Sequence, residues 1–370
     1  MNNNRILSLD VLRGVDLFLL VGLQPVLYPL LSKSDSSFFN STLLSQFDHV
    51  QWEGFSSWDL VMPLFLFMSG VTMPFSLPKY RKNNSSKELW LRIIKRFLLL
   101  FFLGIVVQGN LLSLDPDRIY IYSNTLQAIA TGYLLAAPMV LYLKPKVQIT
   151  TIATLLIIYT LPMVLFGDWS AQGNFACTVD KLLLGRFRDG SYIDSNGMWQ
   201  FASWYDYTWL WSSLTFCCTV AMGSLAGEMI KRGNDDRQKT AIKLFLTGIA
   251  LIAAGEVWGI WHPIIKRIWS GSMTLYSGGW CYILLALFYW WIDVKGHKRG
   301  TQWLLFYGCN AIAAYLLGSI INFRCVADSL LQGFEQFTGE YYSVLLTAGN
   351  NLIIFGILAI LYKQKIFLKV

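Results

Sequence analysis

The chain has 370 residues, of which 55 % are hydrophobic and 14 % charged, and its mean hydropathy is +0.46. Soluble domains carry roughly 25 % charged residues, so a soluble fold of this length is excluded and a lipid bilayer must solvate the excess apolar surface. The net charge of +8 does not indicate a nucleic-acid-binding protein, because the basic residues lie in short segments between apolar runs.

Ten apolar runs follow one another along the chain, each near the roughly 20 residues that a helix needs to cross the hydrocarbon layer. They cover residues 15–31, 58–78, 97–112, 125–143, 149–166, 207–230, 243–261, 276–293, 303–322 and 344–362. Backbone polar groups in lipid must be satisfied within their own segment, so each run is predicted to be a helix. The sequence therefore predicts an all-α polytopic membrane protein with about ten transmembrane helices, in a single domain over residues 1–370.

Positive charge orients the predicted bundle. If the N-terminus is cytoplasmic, the inner segments hold 22 of the 30 Lys and Arg residues. These inner segments are 1–14, 79–96, 144–148, 231–243, 294–302 and 363–370. Cytoplasmic segments of membrane proteins carry the excess of Lys and Arg, so both termini are predicted to be cytoplasmic and the long loops 32–57, 167–206 and 323–343 to be outside.

The six cysteines show no CxxC spacing, and no metal site is predicted. Four of them, Cys217, Cys218, Cys281 and Cys309, lie inside apolar runs and are expected to be small core residues. Cys177 and Cys325 fall in predicted outer loops, where a disulfide between them stays open.

A histidine lies just before the second run, on the predicted outer side. Three carboxylates, Asp48, Glu53 and Asp59, lie within ten residues of His49. A carboxylate can fix the tautomer of an imidazole and strengthen it as a base, and an acid at the start of a membrane helix is a candidate functional group. The alternative is that Asp59 caps the helix and His49 is an interface residue. His262 is expected at the membrane interface and His297 in a solvated basic loop.

The first run carries a second polar cluster. Asp10, Arg13 and Asp16 are spaced three apart and so lie along one side of a helix, either as substrate-binding groups or as a structural ion-pair network. Gln24 follows in mid-span and precedes Pro25, which predicts a kink with a polar group facing the bundle interior.

Several stretches resemble the heparan-α-glucosaminide N-acetyltransferase family and its bacterial NagX-type relatives. The first is Arg5-Ile6-Leu7-Ser8-Leu9-Asp10-Val11-Leu12-Arg13-Gly14, and the more specific one is His49-x2-Trp52-x-Gly54-x4-Asp59-Leu60-x2-Pro63-x-Phe65-x-Phe67-x2-Gly70. Further similar stretches are Leu126–Ala130, Val179–Arg186, Lys266–Ser270 and Asn310–Tyr315, so the resemblance covers nearly the whole chain. Two positions depart from the family: Gln24 aligns with an asparagine, and Ala128 stands where an arginine is frequent.

The resemblance implies transfer of an acetyl group from cytoplasmic acetyl-CoA to an amino sugar at the outer face of a bacterial inner membrane, by an enzyme that can form homodimers. It implies a catalytic role for His49, at the position of the family's catalytic histidine, and for Gln24, while the spacing of carboxylates adds Asp59 as the group that orients His49. The predicted substrate-binding residues are Trp52, Glu53, Asp48, Asp10 and Arg13. The donor phosphates are predicted to bind Arg92, Lys95 and Arg96 of the basic 79–96 segment.

Two other functions remain open from the sequence. A transporter or flippase for a sugar or lipid-linked glycan would share the spans, the polar cluster and the aromatic outer loops, but gives no reason for the His49–Asp59 segment and would not consume acetyl-CoA. The third is O-acetylation of a surface polysaccharide by the same chemistry, which would demand a stronger base because the acceptor is an alcohol.

Overall fold

The computed structural model describes residues 6–33, 38–77, 86–109, 111–233 and 235–368. In chain order the α-helices are Leu7–Leu17, Gln24–Ser32, Val61–Val71, Ser86–Val107, Thr125–Tyr142, Pro145–Leu165, Phe175–Leu184, Ser213–Arg232, Arg237–Gly259, Gly271–Phe288, Gln302–Cys309, Ala311–Ile320, Arg324–Leu331, Glu335–Thr338 and Tyr342–Lys363. Wider π-helical turns cover Phe18–Leu23, Phe38–Leu43 and Tyr289–Val294. Tighter 3₁₀ turns cover Leu44–Phe47, Ser57–Leu60, Pro116–Arg118, Gly185–Phe187, Gln332–Phe334 and Gly339–Tyr341.

The helices confirm the predicted all-α membrane protein. In the described part of the chain, eight helices are long and apolar enough to cross a membrane, and a ninth span results if the bent pair Gln302–Cys309 and Ala311–Ile320 is counted as one. The predicted run 97–112 overlaps the second half of helix Ser86–Val107. The first half of this helix carries charged residues, so the helix does not qualify as a span. Each of the ten predicted runs therefore coincides with a helix.

The chain divides into two compact units. Of the described residues, the first unit comprises 6–33, 38–50, 56–61 and 284–368, and the second comprises 51–55, 62–77, 86–109, 111–233 and 235–283.

The core of the first unit is a close crossing of helix Leu7–Leu17 with helix Gln302–Cys309. A Cβ atom added at Gly308 would lie only 1.8 Å from the carbonyl oxygen of Asp10, so only glycine lets the two backbones approach this closely. Asp293 accepts hydrogen bonds from the backbone N–H groups of Leu7 (3.3 Å) and Ser8 (3.0 Å). A residue far along the chain thus satisfies donors that the first helix leaves open at its N-terminus.

The first unit also contains a sharply broken span. Helices Gln302–Cys309 and Ala311–Ile320 meet at an angle of 76°, with the buried Asn310 between them. Its side-chain amide donates to the carbonyl of Ile366 (3.2 Å) and its oxygen accepts from the N–H of Leu368 (3.1 Å). Polar backbone exposed by a break inside a membrane needs such partners, so the residues after helix Tyr342–Lys363 stabilise the break.

The second unit is built around helix Ser213–Arg232, which is mostly buried. Gly223 of this helix lies against the backbone of Phe67, where an added Cβ would come within 2.0 Å of the carbonyl oxygen. The unit also holds the only strands in the described residues, a short antiparallel hairpin of Ser191–Ile193 and Trp199–Phe201. This hairpin lies in the predicted outer loop 167–206 and was not predicted from the sequence.

Candidate active site

His49 and Asp59 form a hydrogen-bonded pair in the first unit. Nδ1 of His49 lies 2.8 Å from Oδ1 of Asp59. The imidazole is one-third exposed, whereas the carboxylate side chain is 1 % exposed. A buried carboxylate behind a partly exposed imidazole is the arrangement in which an acid orients a base.

The chain around Asp59 fixes this carboxylate in place. Its Oδ2 accepts from the backbone N–H of Ser56 (3.0 Å) and of Val50 (3.4 Å), and the Ser56 hydroxyl lies 3.1 Å away. Ser56 and Asp59 form a reciprocal capping box at the start of the turn Ser57–Leu60, which leads into helix Val61–Val71. A capping box satisfies N-terminal donors that a helix would otherwise leave open. One side chain therefore both caps the helix and contacts His49, and the catalytic role of Asp59 stays a prediction.

The hydrogen bond determines the tautomer of His49. A carboxylate can only accept, so the proton of the neutral imidazole lies on Nδ1 and the lone pair on Nε2. Nε2 is the ring nitrogen that can accept a proton or attack a carbonyl carbon.

Asp48 joins the His49 segment to the first span. One oxygen of Asp48 accepts from the backbone N–H of His49 (2.8 Å), and the other lies 3.4 Å from the hydroxyl of Tyr28. The sequence alone gave no signal for Tyr28, whose partner is 20 residues away. It lies one helical turn after Gln24, so both residues lie on the same side of helix Gln24–Ser32.

A π-helical turn aligns the polar residues of the first span. Residues Phe18–Leu23 form this turn within an otherwise α-helical segment. Because an α turn takes about 3.6 residues and a π turn about one more, the eight residues from Asp16 to Gln24 complete close to two turns and place both on one side. Pro25 and Pro29 remove backbone donors here, and the side-chain amide of Asn351 donates to the carbonyl of Gly22 (2.8 Å).

Asp10 and Arg13 lie toward the opposite end of this span and form an ion pair of 3.5 Å. The 18 residues from Asp10 to Tyr28 span about 27 Å of helix, so the pair lies far from the contact between Tyr28 and Asp48. Asp16 is buried in the same helix. The substrate-binding role of Asp10 and Arg13 stays a prediction.

Trp52 and Glu53 belong to the second unit. The indole N–H of Trp52 donates to the carbonyl of Trp169 (2.7 Å), and its ring packs on a buried cluster that includes Tyr159 and Ile268. Glu53 is exposed and pairs by its backbone with Ile265. The part of the Trp52 ring that lies outside the cluster is what a sugar could contact, so its predicted role stays open.

The three predicted donor-binding residues lie on helix Ser86–Val107. Arg92 and Lys95 are exposed, and the half-buried guanidinium of Arg96 stacks on the ring of Tyr133 at 4.2 Å. Two cations on this helix are thus accessible to an anionic group.

Asp180 lies in the predicted outer loop 167–206 of the second unit and holds it by hydrogen bonds. Its carboxylate accepts from the backbone N–H groups of Trp209 (2.7 Å) and Leu210 (3.0 Å). Burial raises its pKa to about 6. Asp180 lies in the family-like stretch Val179–Arg186, and its contacts are those of a structural residue.

His262 is buried within the protein, and its position at the membrane interface stays a prediction. Its ring packs against Trp169 at an interplanar angle of 34°, with centroids 4.2 Å apart, and its Nε2 accepts from the backbone N–H of Gly271 (3.1 Å). Burial lowers its pKa to about 4, because desolvation disfavours the charged form. The sequence shows His262 next to a span but not the loop tryptophan that covers it. His297 is exposed and stacks on Trp291, as predicted for a solvated loop.

All six cysteines are free thiols. Cys177 is fully buried beside the guanidinium of Arg188 (3.7 Å), and Cys325 is exposed. The disulfide that the sequence left open is therefore not formed. Cys217, Cys218 and Cys281 are buried core residues, as predicted.

Comparison with known proteins agrees with the motifs of the chain. Residues 5–178, which include His49 and Asp59, match the model of the family described as heparan-alpha-glucosaminide N-acetyltransferase, catalytic. The human heparan-alpha-glucosaminide N-acetyltransferase is 23 % identical, and the mouse protein 24 % identical, over 99 % of this chain. The chain spans 60 % and 61 % of the length of these two relatives.

The matched family model and the two full-length alignments all point to the same group of proteins. By its sequence, this chain is similar to the heparan-alpha-glucosaminide N-acetyltransferases.

Proposed function

We propose that the protein is a transmembrane acetyltransferase that moves an acetyl group from acetyl-CoA to the amine of a glucosamine-type sugar. The observation that carries this proposal is the pair of His49 and the buried Asp59, within the segment that matches the catalytic model. We infer the transferred acetyl group and the amino-sugar acceptor from the names of the two relatives. Acetyl-CoA is the class of donor that an N-acetyltransferase needs.

In the proposed reaction, Nε2 of His49 takes the proton of the acceptor amine as the nitrogen attacks the thioester carbonyl. A C–N bond forms, the C–S bond breaks, and CoA leaves as a thiolate that receives the proton from the imidazolium. Asp59 stabilises the imidazolium and keeps the ring in one orientation. Tyr28 and Asp48 hold the loop of His49 on the first span, and Gln24 is proposed as a hydrogen-bonding group toward the substrates.

The charge pattern of the chain supports an orientation with His49 outside and the donor entering from the cytoplasm. Arg92 and Lys95, which are exposed on the basic inner segment, are the proposed partners of the CoA phosphates. A bacterial inner membrane, with His49 on its periplasmic side, is the proposed location.

The decisive experiment compares His49→Ala with His297→Ala in the purified protein. His49→Ala should lose at least about 10²-fold in the rate of acetyl transfer to glucosamine, the usual contribution of a general base, and should still be stabilised thermally by CoA. His297→Ala changes an exposed loop histidine and should keep the wild-type rate.

Wild-type turnover by His49→Ala would refute its catalytic role, while failure of the wild-type protein to consume acetyl-CoA would favour a transporter. A single-turnover reaction without acceptor distinguishes the two chemical routes. Release of one equivalent of CoA would indicate an acetyl-imidazole on His49 rather than direct transfer.

A further inference from the structure

The second unit contains a cavity of about 300 Å³ that the proposed reaction does not use. Its polar lining comes from Tyr142, Lys144, Gln148, Glu228 and Arg232, together with Ser224. Its apolar lining comes from Pro74, Val140, Leu141, Leu143 and Pro145. This volume is at the small end of the range for ligand sites, so the cavity fits a compact polar group.

Gln148, which lines the cavity, has an unsatisfied acceptor. The residue is 5 % exposed, and its Nε2 donates to the carbonyl of Leu143 (3.0 Å). Because a carbonyl only accepts, this bond fixes which end of the amide is nitrogen. The opposite atom, Oε1, is buried and has no hydrogen-bond partner among the described residues. A buried acceptor without a partner costs free energy, so a ligand with N–H donors would be favoured here.

Charges of both signs line the same space. The carboxylate of Glu228 accepts from Nε of Arg232 (2.7 Å), which leaves further guanidinium donors for a second anion. Lys144 is exposed at the rim. A ligand that carries one cationic N–H donor and one anionic group would match this distribution, with its cation near Glu228 and Gln148.

The cavity lies at the ends of three candidate membrane spans. Tyr142 is the last residue of Thr125–Tyr142, Pro145 the first of Pro145–Leu165, and Arg232 the last of Ser213–Arg232. Helix ends of this kind lie at the level of lipid head groups. On either side of Gln148 in the sequence, Val147 and Ile149 are about half exposed, which gives an apolar surface for an acyl chain.

We propose that this cavity binds the head group of a phospholipid that carries a primary ammonium. The ammonium donates to Oε1 of Gln148 and to Glu228, and the phosphate binds Lys144 and Arg232. Basic pockets between membrane helices are known to hold lipid head groups, and the exposed apolar surface beside this one favours a lipid over a soluble nucleotide. This inference does not depend on the proposed acetyl transfer.

The test uses the full-length protein, purified in detergent and titrated with dioleoyl phosphatidylethanolamine. Thermal unfolding and native mass spectrometry give the stabilisation and the number of lipids bound. Dioleoyl phosphatidylcholine is the matched lipid, because its methylated amine has the same charge but no N–H donor. We expect phosphatidylethanolamine to raise the melting temperature and phosphatidylcholine to have a much smaller effect.

Gln148→Leu and Glu228→Gln should each weaken phosphatidylethanolamine binding about tenfold, as expected for one lost charge-assisted hydrogen bond. Glu228 is partly exposed, so we expect Glu228→Gln to fold. This variant therefore still tests the proposal if Gln148→Leu fails to fold. Gln336→Leu and Glu335→Gln, in an exposed helix outside the cavity, should bind as the wild type does.

Three results would overturn the proposal. Equal stabilisation by phosphatidylcholine would show that the ammonium N–H groups are not recognised. Equal stabilisation by phosphatidylglycerol would show a site for phosphate alone. Displacement of the lipid by CoA or adenosine bisphosphate, with loss of nucleotide binding in Glu228→Gln, would make the cavity a nucleotide site.

Discussion

At the scale of single residues, the carboxylate of Asp59 makes two kinds of contact. Asp59 closes the capping box with Ser56 and accepts from Nδ1 of His49. The sequence showed three carboxylates near His49, and we predicted that Asp59 would orient it, with Asp48 as the alternative. Burial decides: Asp59 is withdrawn from water, whereas Asp48 and Glu53 are exposed, so only Asp59 offers His49 a strong, unscreened interaction.

The variant Asp59→Asn tests whether His49 needs the negative charge of Asp59 or only a side chain of the same size. The amide keeps the size of the side chain, but it no longer carries the charge that stabilises an imidazolium. We expect a loss of about 10²–10⁴-fold in the turnover of acetyl-CoA with glucosamine, with CoA binding unchanged in a thermal-shift assay. Asp48→Asn, which alters an exposed carboxylate bonded to backbone and Tyr28, should lose far less. Comparable losses in the two variants would contradict the distinction between them.

The buried His262 predicts a dependence of stability on pH. Its pKa of about 4 in the folded protein lies below the usual 6.5, so the unfolded chain binds more protons between these values. Stability should therefore fall as the pH drops from about 6.5 to 4, by at most about 3 kcal/mol from this residue. Asp180 acts in the opposite direction over an overlapping range, because its pKa is raised.

The contribution of His262 is isolated by comparing the wild type with His262→Gln. Glutamine can accept from the N–H of Gly271 and does not titrate, so its melting temperature should fall less steeply below pH 6.5. Parallel melting curves against pH would show that His262 is not the group responsible.

At the scale of helices, the sequence predicts positions better than it predicts irregularities. A run of about 20 apolar residues is a local signal, and every predicted run coincides with a helix. Pro25 predicted a kink near Gln24, but the π turn at Phe18–Leu23 depends on packing and on Asn351, which lies 329 residues from its partner Gly22. The contact of Tyr28 and the cavity beside Gln148 could not be predicted either, because their neighbours come from distant parts of the chain.

Asn351→Leu tests whether this distant amide stabilises the π turn. The substitution keeps the approximate size and leaves the carbonyl of Gly22 without its donor, so the free energy of unfolding should fall by about 1–3 kcal/mol. Leu352→Ala, at a neighbouring exposed position, is the control and should change the melting temperature little. An unchanged melting temperature for Asn351→Leu would show that the carbonyl does not need this donor.

At the scale of the whole molecule, the predicted orientation in the membrane depends on the distribution of Lys and Arg residues between the loops. In a Cys325→Ser background, Ser45→Cys should react with a membrane-impermeant thiol reagent added outside intact cells, and Asp235→Cys should not. Both positions are exposed, and Cys325 is the exposed native cysteine. Permeabilised cells should label both variants, which shows that each thiol is reactive. The reverse pattern in intact cells would place His49 in the cytoplasm.

The break at Asn310 has a consequence for how the protein is made. Its side chain is satisfied by Ile366, which lies 56 residues later, and an unsatisfied amide in hydrocarbon costs several kcal/mol. During synthesis the two half-helices therefore leave the ribosome before the partner that completes them exists. We expect this span to enter the lipid late, and the insertion machinery to shield it until the residues after Lys363 have been synthesised. A ribosome stalled before those residues would therefore hold a protein in which the span 302–320 is not yet inserted in the bilayer.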